Sequence, residues 1–319
     1  MELQRVASLF EEAMQEISKV VIGQVELVEG VLIALFSEGS VLIEGPPGLG
    51  KTLLVNTLSK VVSCDFKRVQ FTPDLMPSDL TGHSVFDAST QKFTFNRGPL
   101  FTNLLLGDEI NRSPPKTQSA LLEVMQEAQV TADGHTYQLD RPFLVIATQN
   151  PLEHEGTYPL PEAQVDRFLF KLLVDYPPIQ DEVEIVAHYA AGRRAHKLAG
   201  FEIRSIMNAE DVLAVQDACG QVIVEDKVVR YIVEIVDKTR SWHSVTVGAS
   251  PRASVSLLVA ARTMAACRGR DFVTPDDVKE ICPWVLRHRI RLRPEAEIEG
   301  SNADQVIQHI LENVEVPRS

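Results

Sequence analysis

The sequence predicts an α/β fold: a parallel sheet covered by helices, with two inserted β-hairpins, followed by a separate helical domain. Three observations carry this. Short apolar runs alternate with helical patterns through about residue 175. Two stretches break that rhythm with apolar–polar alternation around polar turns. After Pro177-Pro178 the strand-like runs give way to helical patterns.

The runs at 40–44 (SVLIE), 67–71, 101–106, 143–148 and 168–174 read as buried strands. Continuous apolar runs of this length suit a sheet covered on both faces. Helical patterns at 52–62 and 116–129 lie between them, and strand–helix alternation points to a parallel sheet. The hairpin candidates are 84–96 (SVFDASTQKFTFN) and 130–143 (VTADGHTYQLDRPF). In the second, Asp133-Gly134 is a strong turn signal.

Beyond the prolines, 181–191 reads as a helix and 192–200 as a linker. Asn208 can cap a helix starting at Ala209, with acids in its first turn. The stretch 228–239 has an apolar face. Thr274, Pro275, Asp276 and Asp277 supply a cap, a first-position proline and acids for another helix. The chain divides accordingly into 1–192, the α/β core, and 193–319, the linker and helical domain.

Composition sets limits. Hydrophobic residues at 45% and charged residues at 24% place the 319-residue chain among ordinary globular proteins. No stretch approaches the roughly eighteen apolar residues of a membrane span. The first twenty residues read as an acidic amphipathic helix, not a basic-then-apolar signal, so the expected compartment is the cytoplasm. Cys64, Cys219, Cys267 and Cys282 form no CxxC pair and read as small buried hydrophobes, not as a zinc site or disulfide framework. A net charge of −13 disfavours non-specific nucleic-acid binding. The basic stripe of Arg287, His288, Arg289, Arg291 and Arg293 reads as a solvated face of the helical domain. Only Trp284 lies close to it as a stacking aromatic.

The sharpest pattern is Gly45-Pro46-Pro47-Gly48-Leu49-Gly50-Lys51-Thr52, which fits GxxxxGK[ST] between a strand and a helix. Its glycines let backbone N–H groups curl around phosphate oxygens, and the helix N-terminus adds partial positive charge. Lys51 would reach the β- and γ-phosphates of ATP, and Thr52 would offer its hydroxyl to magnesium.

Such a loop needs acids opposite it. In LLLGDEIN, Asp108 and Glu109 follow an apolar strand, which places them at the carboxyl edge of a parallel sheet, where ligands bind. Asp108 is assigned to Mg2+, through water, and Glu109 to polarising the attacking water. The next strand, FLVIAT, ends in Gln149-Asn150-Pro151. The Asn150 amide could hold that water against the γ-phosphate.

These phrases together resemble the AAA+ superfamily and, within it, the MoxR family. The resemblance runs from Val21-Ile22-Gly23-Gln24 to the arginine-rich stretch near the end. GPPGLGKT is shared by many AAA+ groups. GDEINRSPPKTQSALLEVMQE, PLPEAQVDRFLFK and GASPRAS are more specific, with ATQNP between them. The family usually has alanine before the two prolines, where this chain has Ser113. The resemblance implies a P-loop NTPase core with a helical lid and an ATP site between the subunits of a ring, commonly a hexamer. It implies that Val21, Ile22, Gly23 and Gln24 pack against the adenine and that Asn150 is the sensor-1 residue. Arg167 would be an arginine finger reaching a neighbour's γ-phosphate, and Arg252 the sensor-2 residue, within its own subunit or across the interface. Arg112 is a second arginine candidate at the subunit boundary. The two hairpins would be the helix-2 insert and the hairpin preceding sensor 1.

Arg167 directly precedes the strand FLFKLLV. With the P-loop strand expected at the centre of the sheet, that position falls at the subunit's flank, too far to serve its own ATP. Three functions fit these residues. The first is ATP-driven remodelling or chaperone-like maturation of a client protein complex. The resemblance implies metal-cofactor insertion among such tasks, and partners with a von Willebrand factor A domain. The second is an AAA+ nucleic-acid motor or loader, disfavoured by the acidic charge and the lack of an appended DNA-binding motif. The third is a non-hydrolysing nucleotide-dependent scaffold, disfavoured by the presence of Asp108, Glu109 and Asn150.

Overall fold

The structure is a computed structural model that describes every residue except 90, 152–155, 194–197, 199 and 318–319. Most of the expected 192–200 linker therefore lies outside the described residues.

Two helices open the chain. α1 (Leu3–Ser18) buries Val6, Leu9, Ala13 and Ile17, spaced three or four residues apart, on one face. α2 (Val25–Phe36) is apolar almost all round and is buried from Val31 to Phe36. The α/β core follows: β1 (Val41–Glu44), α3 (Lys51–Val61), β2 (Phe66–Gln70) and α4 (Pro77–Thr81). The first hairpin pairs β3 (Gly82–Asp87) with β4 (Lys92–Arg97), as its alternation predicts. Next come β5 (Leu104–Asp108) and α5 (Pro115–Glu127). The second hairpin pairs β6 (Gln129–Ala132) with β7 (His135–Gln138). β8 (Leu144–Gln149), α6 (Glu162–Val165) and β9 (Phe170–Leu173) complete the core. The strand expected over 101–106 starts only at Leu104. Asn103 is a tether instead, accepting from the Asp65 N–H at 3.2 Å and donating to the Pro142 carbonyl at 3.0 Å.

The central sheet has five parallel strands in the order β2-β5-β8-β1-β9. β1 is therefore beside the edge strand β9, not at the centre as expected. Side chains alternate across the sheet with period two. Val41, Ile43, Leu104, Leu106, Leu144 and Ile146 enter one apolar cluster, and Leu42, Leu105, Val145 and Ala147 enter the other. The first cluster continues without a break into α1, α2 and the later helices.

The later helices that share it are α8 (Ala209–Gly220), α9 (Asp226–Ser241), α10 (Pro251–Cys267), α11 (Pro275–Leu286) and α13 (Ala303–Asn313), whereas α7 (Ile179–Ala190) buries no side chain and α12 (Pro294–Ile298) lies outside the cluster. A short antiparallel pair, β10 (Val245–Val247) with β11 (Arg291–Leu292), joins them and was not legible as strands. Asn208 and Thr274 each accept from the N–H three residues on, as expected of caps. Cys219, Cys267 and Cys282 are buried and Cys64 is half-buried, all as free thiols.

The basic stripe is corrected by the structure. Only its far end is a solvated face: Arg291 and Arg293 are exposed, whereas Arg287, His288 and Arg289 turn inward. Arg289 is only 8% exposed. Arg287 is half-buried; it pairs with Asp304 at 2.9 Å and donates to the Lys171 carbonyl at 3.0 Å. The His288 ring sits 3.2 Å from the Phe168 carbonyl. α11 ends at Leu286, so the following residues cross the start of β9, where the carbonyls of Asp166, Phe168 and Leu169 need donors. Trp284 is buried as well, donating to Glu26 at 2.7 Å and edge-on to Phe170. It is no stacking platform for nucleic acid.

Candidate functional site

β1 stops at Glu44 and α3 starts at Lys51, with the glycine-rich loop between them. Gly48 and Gly50 have φ of +84° and +78°, a left-handed backbone that side chains resist. A Cβ at either would meet nothing within 4 Å. The loop is thus an open cradle beside a helix N-terminus, which suits phosphate oxygens. Gly45 is required for a different reason: a Cβ there would lie 2.2 Å from the Val174 carbonyl just past β9. Lys51 donates across the loop to the Gly45 carbonyl at 2.6 Å. Burial holds its pKa below the ordinary lysine value, against the pull of Asp108, Glu109 and Glu44.

The acid pair sits at the end of β5. Thr148 of β8 links its two members. Its hydroxyl donates to the Asp108 carboxylate at 2.7 Å and accepts from the Glu109 N–H at 2.9 Å. The second Asp108 oxygen accepts from Arg68 at 2.7 Å. Glu109 has φ +56°, a left-handed conformation that costs a non-glycine residue about 1 kcal/mol. Its carboxylate accepts from Gln70 at 2.8 Å and from Arg112 at 3.0 Å. Arg68 and Gln70 are two residues apart on β2, so both point to the same face and meet the acids of the paired strand. Arg112 therefore faces an acid of its own subunit. Asn150, at the end of β8, is buried at the cleft wall.

Loop and acids share one cleft of about 830 Å³. From the loop, Gly45 and Pro47 through Thr52 line it, whereas Pro46 does not. The far end is apolar and aromatic, with Val21, Ile22, Tyr176, Ile185, Tyr189 and Phe201. Gln24 also lines the cleft and donates to the Asp175 carbonyl at 3.1 Å. Gly23 does not line it; with φ +74° it lets the chain pass close to Asp181 on α7. A polar cradle continuous with an apolar end suits a nucleotide, phosphates at one end and base at the other.

Oxygen donors at the cradle match a hard ion such as magnesium. Thr52 lines the cleft and Asp108 presents its carboxylate there. Among the described residues no group of three or more His, Cys, Asp or Glu could hold a metal by itself.

Arg167 and Arg252 are not brought into this cleft. The register aligns Val41 with Phe170 and Glu44 with Leu173. The loop leaves one end of the sheet, and Arg167 precedes the other. At about 3.3 Å per residue they are separated by on the order of 15–20 Å. Arg252 is exposed at the start of α10. Ser250, just before it, bonds Asp166 at 3.3 Å, so the two arginines share one flank of the subunit.

Arg68, Gln70, Thr148 and the aromatic end of the cleft escaped the sequence reading. The two-residue spacing of Arg68 and Gln70 was a usable signal only once β2 is known to neighbour β5. Ile185 and Tyr189 are four apart on α7, one helical face, but nothing local tells which way α7 folds back.

This fold and cleft define an AAA-type nucleotide-binding core carrying a helical lid. Over residues 40–170 the chain matches the family described as ATPases associated with various cellular activities (AAA), and over 237–310 the AAA lid domain. It is 47% identical to the uncharacterized protein YeaC of Bacillus subtilis, across 97% of this chain and 95% of that one. It is 45% identical to the chaperone MoxR1 of Mycobacterium tuberculosis, across 97% of this chain and 82% of the relative. A crystal structure of a proposed ATPase from Cytophaga hutchinsonii superposes with a TM-score of 0.91 at 42% identity, covering 99% of this chain and 97% of that one. The chain belongs to the MoxR family of AAA+ ATPases.

Proposed function

We propose that the protein hydrolyses ATP with Mg2+ as the motor of a ring of identical subunits, commonly six, that remodels or matures a client protein complex. The carrying observation is the open glycine cradle facing Asp108 and Glu109 across one cleft. Lys51 binds the β- and γ-phosphates, and the loop N–H groups hold their oxygens. Thr52 and Asp108 would hold Mg2+, which when bound neutralises the phosphate charge. Asn150 orients the attacking water and Glu109 polarises it, once the carboxylate turns from Gln70 and Arg112. Val21, Ile22 and Gln24 form the base end with Tyr176, Tyr189 and Phe201, and Gly23 shapes the backbone between them.

In this reading Arg167 serves a neighbouring subunit's γ-phosphate. A guanidinium placed there can accelerate hydrolysis about 10³–10⁵-fold. Arg252 lies on the same flank, which favours action across the interface for it too. Arg112 pairs with its own Glu109, which favours a role inside the subunit. We divide the chain into the core, 1–192, and the lid with its linker, 193–319, in keeping with the two family matches.

The client is a protein. A relative at 45% identity is named a chaperone, the net charge is −13, and Arg287 and Arg289 of the basic stripe are spent on internal bonds. Metal-cofactor insertion and a partner with a von Willebrand factor A domain are the finer expectations of the family. The cytoplasm is the proposed compartment; no described helix is long and apolar enough to cross a membrane. Phosphate release measured for wild type and for Glu109→Gln, with ATP binding measured alongside, tests the proposal. Turnover should vanish in the variant while binding persists. Equal turnover in both proteins would remove the assigned chemistry.

A further inference from the structure

The lid reaches into the core at one buried point. Arg289, three residues past α11, has a side chain only 2% exposed. Its Nε donates to the Asp166 carboxylate at 2.7 Å. One terminal nitrogen donates to the Leu169 carbonyl at 3.1 Å and to the Val285 carbonyl. The other donates to the carbonyls of Phe168 at 2.6 Å and Asp166 at 3.1 Å. Every guanidinium donor is used, which only the planar fork of arginine allows. The other Asp166 oxygen accepts from Ser250, two residues before Arg252.

These partners bracket a single residue. Asp166, Phe168 and Leu169 are held by Arg289, and the Phe168 carbonyl also faces His288. Arg167 lies between them in a turn, with its own N–H on the Gln164 carbonyl. Without the fork this stretch would be an irregular turn with three carbonyls to satisfy. With it, the backbone that aims Arg167 is fixed to the lid.

We propose that Arg289 is a positioning residue that sets the aim of Arg167 into the neighbouring subunit's ATP site, locking that finger to the orientation of its own lid. This rests on the proposed trans role of Arg167. It assigns Arg289 to the donor side of the interface, although it sits on the lid that follows its own nucleotide cleft. Lid movement in one subunit then moves the finger offered to the next.

The test is a complementation in mixed rings. Arg289→Met should reduce ATP turnover on the order of 10- to 100-fold through misplacement of the finger. Its own cleft is intact, so its affinity for a fluorescent ADP analogue, which lacks the γ-phosphate the finger would touch, should stay within about twofold of wild type. Mixed with Lys51→Ala subunits, it should recover activity as far as an Arg167→Ala plus Lys51→Ala control does. Mixed with Arg167→Ala, it should recover none, because both partners then lack a working finger. Co-assembly is checked by mass. The opposite pattern, rescue by Arg167→Ala and none by Lys51→Ala, would place Arg289 with its own P-loop and overturn the proposal. Rescue by neither, in rings that form and with a working control, overturns it too. A control that never recovers removes the trans role of Arg167 and the positioning role with it. Should Arg289→Met fail to fold, Asp166→Asn replaces it in the same mixtures, since it weakens the clamp while leaving the four carbonyl bonds.

Discussion

Gln70 donates to the carboxylate of Glu109 at 2.8 Å and, with Arg112 on the same oxygen at 3.0 Å, holds it from the neighbouring strand. Two bonds on one oxygen fix the carboxylate's rotamer and weaken that oxygen as a base. A hydrogen bond to a charged group contributes about 1.5–3 kcal/mol at the upper end of the usual range. Because Arg112 still holds the same oxygen, Gln70→Ala should release only part of this and raise the basal ATPase rate by about two- to tenfold, read as kcat by phosphate release. A lower kcat would mean that Gln70 holds Glu109 in its productive position.

Lys51→Ala removes the only point charge that the loop itself offers the β- and γ-phosphates. ATP affinity by calorimetry should fall on the order of 100-fold, with AMP affinity far less affected. An unchanged ATP affinity would take Lys51 out of phosphate binding.

His288 supplies a pH dependence. Burial first, then the charges of Arg289, Lys171 and Arg287, push its pKa well below the ordinary histidine value, and its Nδ1 is buried without a hydrogen-bond partner. Nε2–H donation to Phe168 satisfies the neutral ring. Because the folded pKa is depressed, the unfolded chain binds the extra proton. Stability is full above pH about 6.5 and is lost progressively as pH falls below it, by at most about 1.4 kcal/mol at pH 5.5. In denaturant titrations His288→Gln should lose about that much less than wild type between pH 7.5 and 5.5. Parallel losses in both proteins would show that His288 does not titrate on unfolding.

Much of this was legible from local spacing. The loop 45–52, the acids after a strand and the two hairpins each carry their signal within a dozen residues. The stripe at 287–293 misled at Arg289, whose partners, the carbonyls of 166, 168 and 169, are some 120 residues away in sequence, while Arg291 and Arg293 are exposed as expected. Gln70 and Arg68 were invisible for the same reason: their meaning depends on β2 lying beside β5. The place of β1 next to the edge strand likewise follows from sheet order, which periodicity does not encode.

ATP should also promote assembly. A γ-phosphate bound jointly by Lys51 of one subunit and Arg167 of the next links binding to association reciprocally. Mass measurements at micromolar protein should show larger species with a slowly hydrolysed ATP analogue than with ADP. A monomer with its nucleotide site saturated would speak against the ring.

The central claim is that each active site is completed by the neighbour's Arg167, which lies on the far side of the sheet from its own loop. The direct measurement is ATPase activity of Arg167→Ala and Lys51→Ala subunits, alone and mixed at equal amounts, with co-assembly verified by mass. Each alone should be nearly inactive. In a random mixture one half times one half, about a quarter, of the interfaces combine an intact loop with an intact finger. The mixture should recover activity up to about that fraction of wild type. Co-assembled rings that stay inactive at every ratio would contradict the trans assignment, and full activity in Arg167→Ala alone would remove the finger from the mechanism.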